Sequence, residues 1–200
     1  ICEQLEEAGQ SRGIIKRDVT QILSPGTVMS DRYLSAHQNN FIAAVCPSGI
    51  RQSIRQTQDK SELGNRQSTC GLAWLDITTG DFRVTELSDS KSLLAELRRL
   101  APAEILLPDG ETELASCLGG NADSAATAGR QSFGEPWTFE QETAFFTLRD
   151  HFKTQSLDGF GCQDLTVAIG AAGALIHYLQ NQLRRQLTHI HRLQVYFAGD

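Results

Sequence analysis

FIAAVC (residues 41–46), followed after a polar gap by TCGLAWLDIT (69–78) and DFRVTEL (81–87), decides the fold of this chain. FIAAVC is apolar from end to end and of strand length, the pattern of a strand buried on both faces. The next two segments flank Thr79-Gly80, a compact hairpin turn, and Phe82 and Val84 alternate with Asp81, Arg83 and Thr85. Three consecutive strands in a meander are therefore expected.

Working outward toward the C-terminus, Ser88-Asp89-Ser90 offers capping residues to a helix over about 89–100, with Leu93, Leu94, Leu97 and Leu100 on one face. Pro102 ends it, and AEILLP (103–108) is a further short buried strand. A weaker helix follows at 111–118, then a small, polar loop at 119–131. Thr138 is placed to cap a helix over 139–153, with Glu140 and Glu142 near its positive end. The order strand–strand–strand–helix–strand–helix–(strand)–helix predicts an α/β fold, a mixed sheet with flanking helices, and it is the order of the ribonuclease-H-like arrangement.

After the glycine-broken LDGFGC (157–162), Asp164 is placed to cap a helix running to about 185. At roughly 1.5 Å per residue it would reach about 30 Å. Its first half, LTVAIGAAGALIHYL, is apolar and rich in small residues, whereas its second half, QNQLRRQL, is polar. Such a helix is expected to be buried at one end and exposed at the other, as the opening of a helical neighbour.

Toward the N-terminus, Ile1–Gln4 and Gly13–Leu23 read as strands around the polar Glu6–Gly9 stretch. Ser24-Pro25-Gly26-Thr27 then imposes a turn. Residues 28–40 read as a linker, and 48–68, with IRQS and IRQT in tandem, as a long exposed insertion.

Composition narrows the function. The chain opens on Ile1 and stops at Asp200 in a polar stretch, which reads as an excerpt holding one domain and parts of its neighbours. A formal charge of −6 argues against a module devoted to gripping phosphate backbone. No apolar run approaches the ~20 residues of a membrane span, so a soluble intracellular protein is expected. Cys2, Cys46, Cys70, Cys117 and Cys162 lie far apart with no CxxC pair, so reduced, mostly packed thiols are expected.

Catalytic motifs are scarce. A P-loop needs GK[ST] after a glycine-rich turn, and the Lys-Ser pairs here, Lys60-Ser61 and Lys91-Ser92, follow Asp59 and Ser90. Neither GxGxxG nor GxSxG occurs. A nuclease of the ribonuclease-H-like kind places an acid in its first strand, and FIAAVC has none; Asp76 and Asp81 beside the hairpin turn read as solvated turn acids. His189 and His191 would share a face in a strand and invite a metal, but no Cys or acid stands near them, so packing or surface roles are preferred. The Gly170–Ala174 run reads as tight helix packing.

The helix over 139–153 is the most informative surface. Phe139, Phe145, Phe146, Leu148 and Phe152 crowd it beyond what one narrow stripe needs. Either all of them pack inside, or Phe146 faces solvent beside Arg149, Asp150 and Lys153, as a protein-docking patch requires.

ICEQ (1–4), RDVTQILSPGT (17–27), NNFIAAV (39–45), GLAWLDITTGDFRVTEL (71–87), PAEILLP (102–108), LDGFG (157–161) and AIGAAGALIHYL (168–179) together resemble bacterial MutS proteins, in order and spacing across almost all 200 residues. The resemblance implies that residues 1–27 end the mismatch-binding domain and 28–40 are a linker. It implies that 41–160 form the connector domain, ribonuclease-H-like without its catalytic acids, and that 161–200 start the helical core (lever) domain. MutS proteins act as homodimers that clamp mismatched double-stranded DNA and use ATP and Mg to recruit MutL, which docks in part on the connector.

The aromatic-Glu mispair wedge and the Walker ATPase lie outside this stretch. No catalytic, cofactor or metal residue is therefore assigned, and no cofactor is expected here. A non-catalytic connector in a cytoplasmic, nucleoid-associated protein is expected, with Phe146, Thr147, Arg149, Asp150 and Lys153 docking MutL. The alternatives are a metal-dependent nuclease of ribonuclease-H-like fold, or a MutS paralogue acting on other DNA structures.

Overall fold

A computed structural model describes residues 2–4, 17–20, 22–27, 40–48, 69–119, 129–162 and 164–197. The expectations for Glu6–Gly9, the 28–39 linker and the 49–68 insertion lie outside the described residues. Strands β1 (Cys2–Gln4) and β2 (Arg17–Val19) pair antiparallel, Cys2 opposite Val19, and a single 3₁₀ turn follows at Pro25–Thr27.

The remainder builds one six-stranded mixed sheet. β3 (Phe41–Pro47), β4 (Cys70–Asp76) and β5 (Asp81–Leu87) form the expected antiparallel meander. β6 (Glu104–Pro108) lies parallel to β3, β7 (Arg130–Gly134) parallel to β6, and β8 (Gln194–Val195) parallel to β5. The strand order is β7-β6-β3-β4-β5-β8.

Both faces of the sheet are covered, which is why FIAAVC carries no polar residue. Phe41, Ala43 and Val45 face one way, toward α1 (Ser90–Leu100) and α2 (Thr112–Gly119), joining Leu72, Trp74, Leu93, Leu97, Ile105 and Leu107. Ile42, Ala44 and Cys46 face the other way, toward α3 (Gln141–Phe152) and α4 (Thr166–His177), joining Leu75, Phe82, Val84, Leu148 and Leu175. Period-two alternation thus feeds two separate apolar layers.

Local signals place the elements. The Asp89 carboxylate accepts the Ser92 amide at 2.7 Å and caps α1. The α1 chain then leaves through Ala101 in the left-handed region, just before Pro102. Asp76 departs from expectation. It is buried, not solvated, because its carboxylate closes the hairpin from inside, accepting the Thr78 amide at 2.8 Å and the Thr78 hydroxyl at 2.5 Å. Gly80, with φ +75, completes that turn.

α4 also differs from expectation. The regular helix stops at His177, twelve residues long, and runs through a π turn at Tyr178–Gln182. Arg184 then bends the chain in the left-handed region. Residues Ala168–Ile176 are all buried, wedged between the sheet and α3. The following segment stays on the same body, with Leu183, Leu187, Ile190 and Leu193 in the same apolar layer and β8 extending the sheet. No side chain of α4 itself caps its N-terminus. Glu86 of β5 does so instead, accepting the Val167 amide at 2.7 Å and the Ala168 amide at 3.2 Å. Among the described residues no helix is long and apolar enough to cross a membrane.

Candidate docking surface and inter-segment junction

α3 has two faces. Ala144 and Leu148 are fully buried against α4, whereas Phe146 is 56% exposed. Phe145 and Phe146 meet edge-on with ring centres 6.1 Å apart, and the Arg149 guanidinium lies 5.7 Å and 5.6 Å from the two rings. A cation over an aromatic face at that distance is attracted by the ring quadrupole. Asp150 and Lys153, one turn further, form an exposed ion pair at 3.2 Å. Spacing explains the grouping: Arg149 and Asp150 follow Phe146 by three and four residues along α3, and Lys153, in the left-handed region just past the helix, follows Asp150 by three. Thr147 stands at the margin of this group, with its hydroxyl turned back to the Thr143 carbonyl at 2.9 Å.

Thr138 does not cap this helix. Its hydroxyl donates to the Glu135 carbonyl at 2.7 Å within the 3₁₀ turn Pro136–Phe139, and α3 begins after Glu140.

Beside the patch, a groove of about 590 Å³ runs between the end of α3 and residues 185–191, lined by Asp150, His151, Lys153, Arg185 and His191 among others. His151 is held from both sides. Its Nε2 lies 3.0 Å from the Ile190 carbonyl, which only an N–H can satisfy, and its Nδ1 lies 3.0 Å from the Gln180 amide nitrogen. That arrangement needs the neutral ring. Burial pushes the His151 pKa down, with His191 and Lys153 adding to the shift. Burial likewise lowers that of His177.

An unfolded histidine therefore takes up a proton before the folded one does. Stability contributed by the neutral ring is fully present above the ordinary value of 6.5 and is lost as pH falls through the lower folded value. The urea midpoint is expected to fall between pH 7 and pH 5, with a shallower fall in His151→Gln. An unchanged slope in that variant would assign the loss to other groups.

The remaining chemical candidates are occupied structurally. The His189 Nε2 sits 2.7 Å from the Ile77 carbonyl, and His191 is exposed. Among the described residues, no three His, Cys, Asp or Glu side chains converge as metal ligands would. Cys46, Cys70 and Cys162 are buried free thiols, and burial pushes all three upward, Cys46 to about 12. The small residues of α4 serve close packing: a Cβ on Gly170 would lie 2.5 Å from the Phe139 carbonyl oxygen.

Sequence reasoning missed Glu104. It is the one charged residue in EILLP and it is fully buried in β6, next to the central strand β3. Its Oε1 accepts the Ser132 hydroxyl and the Tyr178 hydroxyl, both at 2.7 Å, and its Oε2 accepts the Gly26 amide at 3.2 Å. Burial, reinforced by the Glu104 carboxylate, pushes the Tyr178 phenol up to about 12.

The same N-terminal stretch is gripped elsewhere. The Arg185 guanidinium donates to the Thr27 carbonyl, Arg184 to the Val19 carbonyl, the Asn40 amide to the Pro25 carbonyl at 3.1 Å, and the Ile22 amide to the Leu183 carbonyl at 3.2 Å. Gly26 permits the approach, since a Cβ there would lie 2.8 Å from the Ile42 Cβ. The signal that was available is a lone acid inside an apolar strand, which must find donors in the folded state.

These features define an α/β domain with helices on both faces of a mixed sheet, to which the end of a preceding segment is fastened. Residues 40–191 match the family model of MutS domain II, and residues 1–32 that of MutS domain I. The chain belongs to the MutS family of DNA mismatch repair proteins.

It is 37% identical over 199 residues to the DNA mismatch repair protein MutS of Desulfatibacillum aliphaticivorans, covering 98% of this chain and 20% of the relative. The MutS of Protochlamydia amoebophila is also 37% identical over 199 residues, covering 100% of this chain and 21% of the relative. That of Symbiobacterium thermophilum is 35% identical over 203 residues, with the same coverage. The chain spans about a fifth of the length of these relatives.

Proposed function

We propose that this chain is the non-catalytic connector of a MutS-type mismatch repair protein, joining the mismatch-reading domain to the ATP-hydrolysing part and presenting α3 to MutL. The order of its strands and helices supports a ribonuclease-H-like fold, and the buried, turn-closing role of Asp76 fits a version of that fold without catalytic acids. The observation that carries the docking reading is Phe146, more than half exposed beneath Arg149 on a helix whose other face is buried. An aromatic anchor ringed by charges, beside a groove, is the composition of a binding hot spot. In the whole protein, a homodimer on mismatched duplex DNA would use ATP and Mg at sites on other segments, in the cytoplasm.

The test is calorimetric titration of the chain with MutL from the same organism, with a mismatched duplex as parallel ligand. Micromolar binding to MutL and negligible binding to DNA are expected. Arg149→Glu with Lys153→Glu should weaken MutL binding at least about tenfold, because reversed charges at an interface repel as well as fail to attract. Undiminished binding by that double variant removes Phe146, Thr147, Arg149, Asp150 and Lys153 from the docking surface.

A further inference from the structure

We propose that the Glu104 carboxylate is the coupling point between the MutS domain I segment and the domain II sheet, through which displacement of residues 22–27 passes into β6 and the end of α4. The inference rests on the linking role given above and names the group that performs it. Three elements distant in the chain meet on one side chain: the Pro25–Thr27 turn through the Gly26 amide, β7 through Ser132, and the π turn after α4 through Tyr178. β6 stands between β3 and β7, so the carboxylate is carried by a strand paired on both sides and not by a flexible rim.

A fully buried carboxylate is costly unless its oxygens are satisfied, and removing one donor leaves that cost exposed. The contact therefore holds as a unit or releases as a unit, where an apolar contact would slide. Gly26 enforces the closeness, because any larger residue would meet the Cβ atoms of Ile42 and Glu104 at 2.8 Å and 3.1 Å. The Arg184 and Arg185 bonds to the Val19 and Thr27 carbonyls hold the same stretch to the segment after α4. A push on residues 22–27 thus reaches the sheet through Glu104, and the segment after α4 through the same side chain, the Arg185 bond to Thr27 and the Ile22 bond to Leu183.

The test is amide hydrogen exchange on the full 200-residue chain. In Glu104→Gln, exchange at Gly26 and Ile22 is expected to accelerate about tenfold or more, with Ala44 and Val45 of β3 changed less than about twofold. A second variant guards against general unfolding: Glu104→Leu with Ser132→Ala and Tyr178→Phe removes both hydroxyl donors with their acceptor, which leaves the Gly26 amide as the one donor of the three to lose its partner and spares the sheet. It too should free Gly26 and Ile22 selectively.

Protection at Gly26 and Ile22 that is unchanged in both variants would overturn the proposal, as would protection lost in step with β3. Should both variants fail to fold, Tyr178→Phe alone decides: selective acceleration at Gly26 supports the coupling, and none refutes it. Exchange reads the junction without MutL, DNA or nucleotide. A junction that releases as described while MutL titration fails would leave the coupling standing and remove only the docking part of the function.

Discussion

Gly173→Ala is expected to destabilise the chain by about 2–3 kcal/mol, although the same change in an open helix gains about 0.5–1 kcal/mol. The sign reverses because of what lies opposite. A Cβ at Gly173 would stand 2.3 Å from the Ala144 Cα and 2.4 Å from the Ala144 Cβ. Those atoms belong to the backbone of α3 and its first side-chain carbon, so no flexible end can swing aside. α3 and α4 would have to separate, opening gaps around Leu148 and Leu175, both fully buried in the same layer. Gly159→Ala is the internal control, because a Cβ there meets nothing within 4 Å. Its effect should stay within about 0.5 kcal/mol. Urea unfolding of the three proteins at one pH measures both. A neutral or stabilising Gly173→Ala would mean that the two helices are not in backbone contact.

Leu148→Ala should cost about 2–5 kcal/mol, as deletion of a fully buried leucine leaves a cavity as well as lost transfer energy. Phe146→Ala, two residues earlier on the same helix, should cost less than about 1 kcal/mol, mainly its contact with the Arg149 guanidinium. The MutL titration should separate them in the opposite sense, with Phe146→Ala the damaging change and Leu148→Ala nearly silent at temperatures where it stays folded. An equal stability loss in the two variants would place the Phe146 ring in the core and empty the docking surface of its anchor.

What the sequence disclosed followed from local signals. FIAAVC announced a strand covered on both sides, the Thr79-Gly80 turn announced the meander, and Asp89 announced the start of α1, all through patterns spanning a few residues. β7 gives a weak strand signal, because RQSFG neither alternates nor runs apolar and borders a single neighbour, β6. The reach of α4 was overestimated because QNQLRRQL contains no Pro or Gly to stop a helix. There Leu183 and Leu187 are drawn into the core by a turn that only tertiary packing dictates. Glu104 escaped notice because its partners stand 78, 28 and 74 positions away along the chain. On α3, helical spacing sufficed to bring Phe146, Arg149, Asp150 and Lys153 together, whereas the inward turn of the Thr147 hydroxyl depends on a local bond that spacing does not encode.

The distribution of thiols has a practical consequence. Cys46, Cys70 and Cys162 are sealed in apolar layers that disfavour the thiolate, leaving Cys2 on β1 and Cys117 on α2 as the exposed pair. Since the thiolate is the nucleophile that adds to a maleimide, the native chain should accept one maleimide fluorophore at each of these two sites without any engineered cysteine. One dye would then ride on β1 of the domain I segment and the other on α2 beside the domain II sheet, so that energy transfer between them reports how the two segments shift.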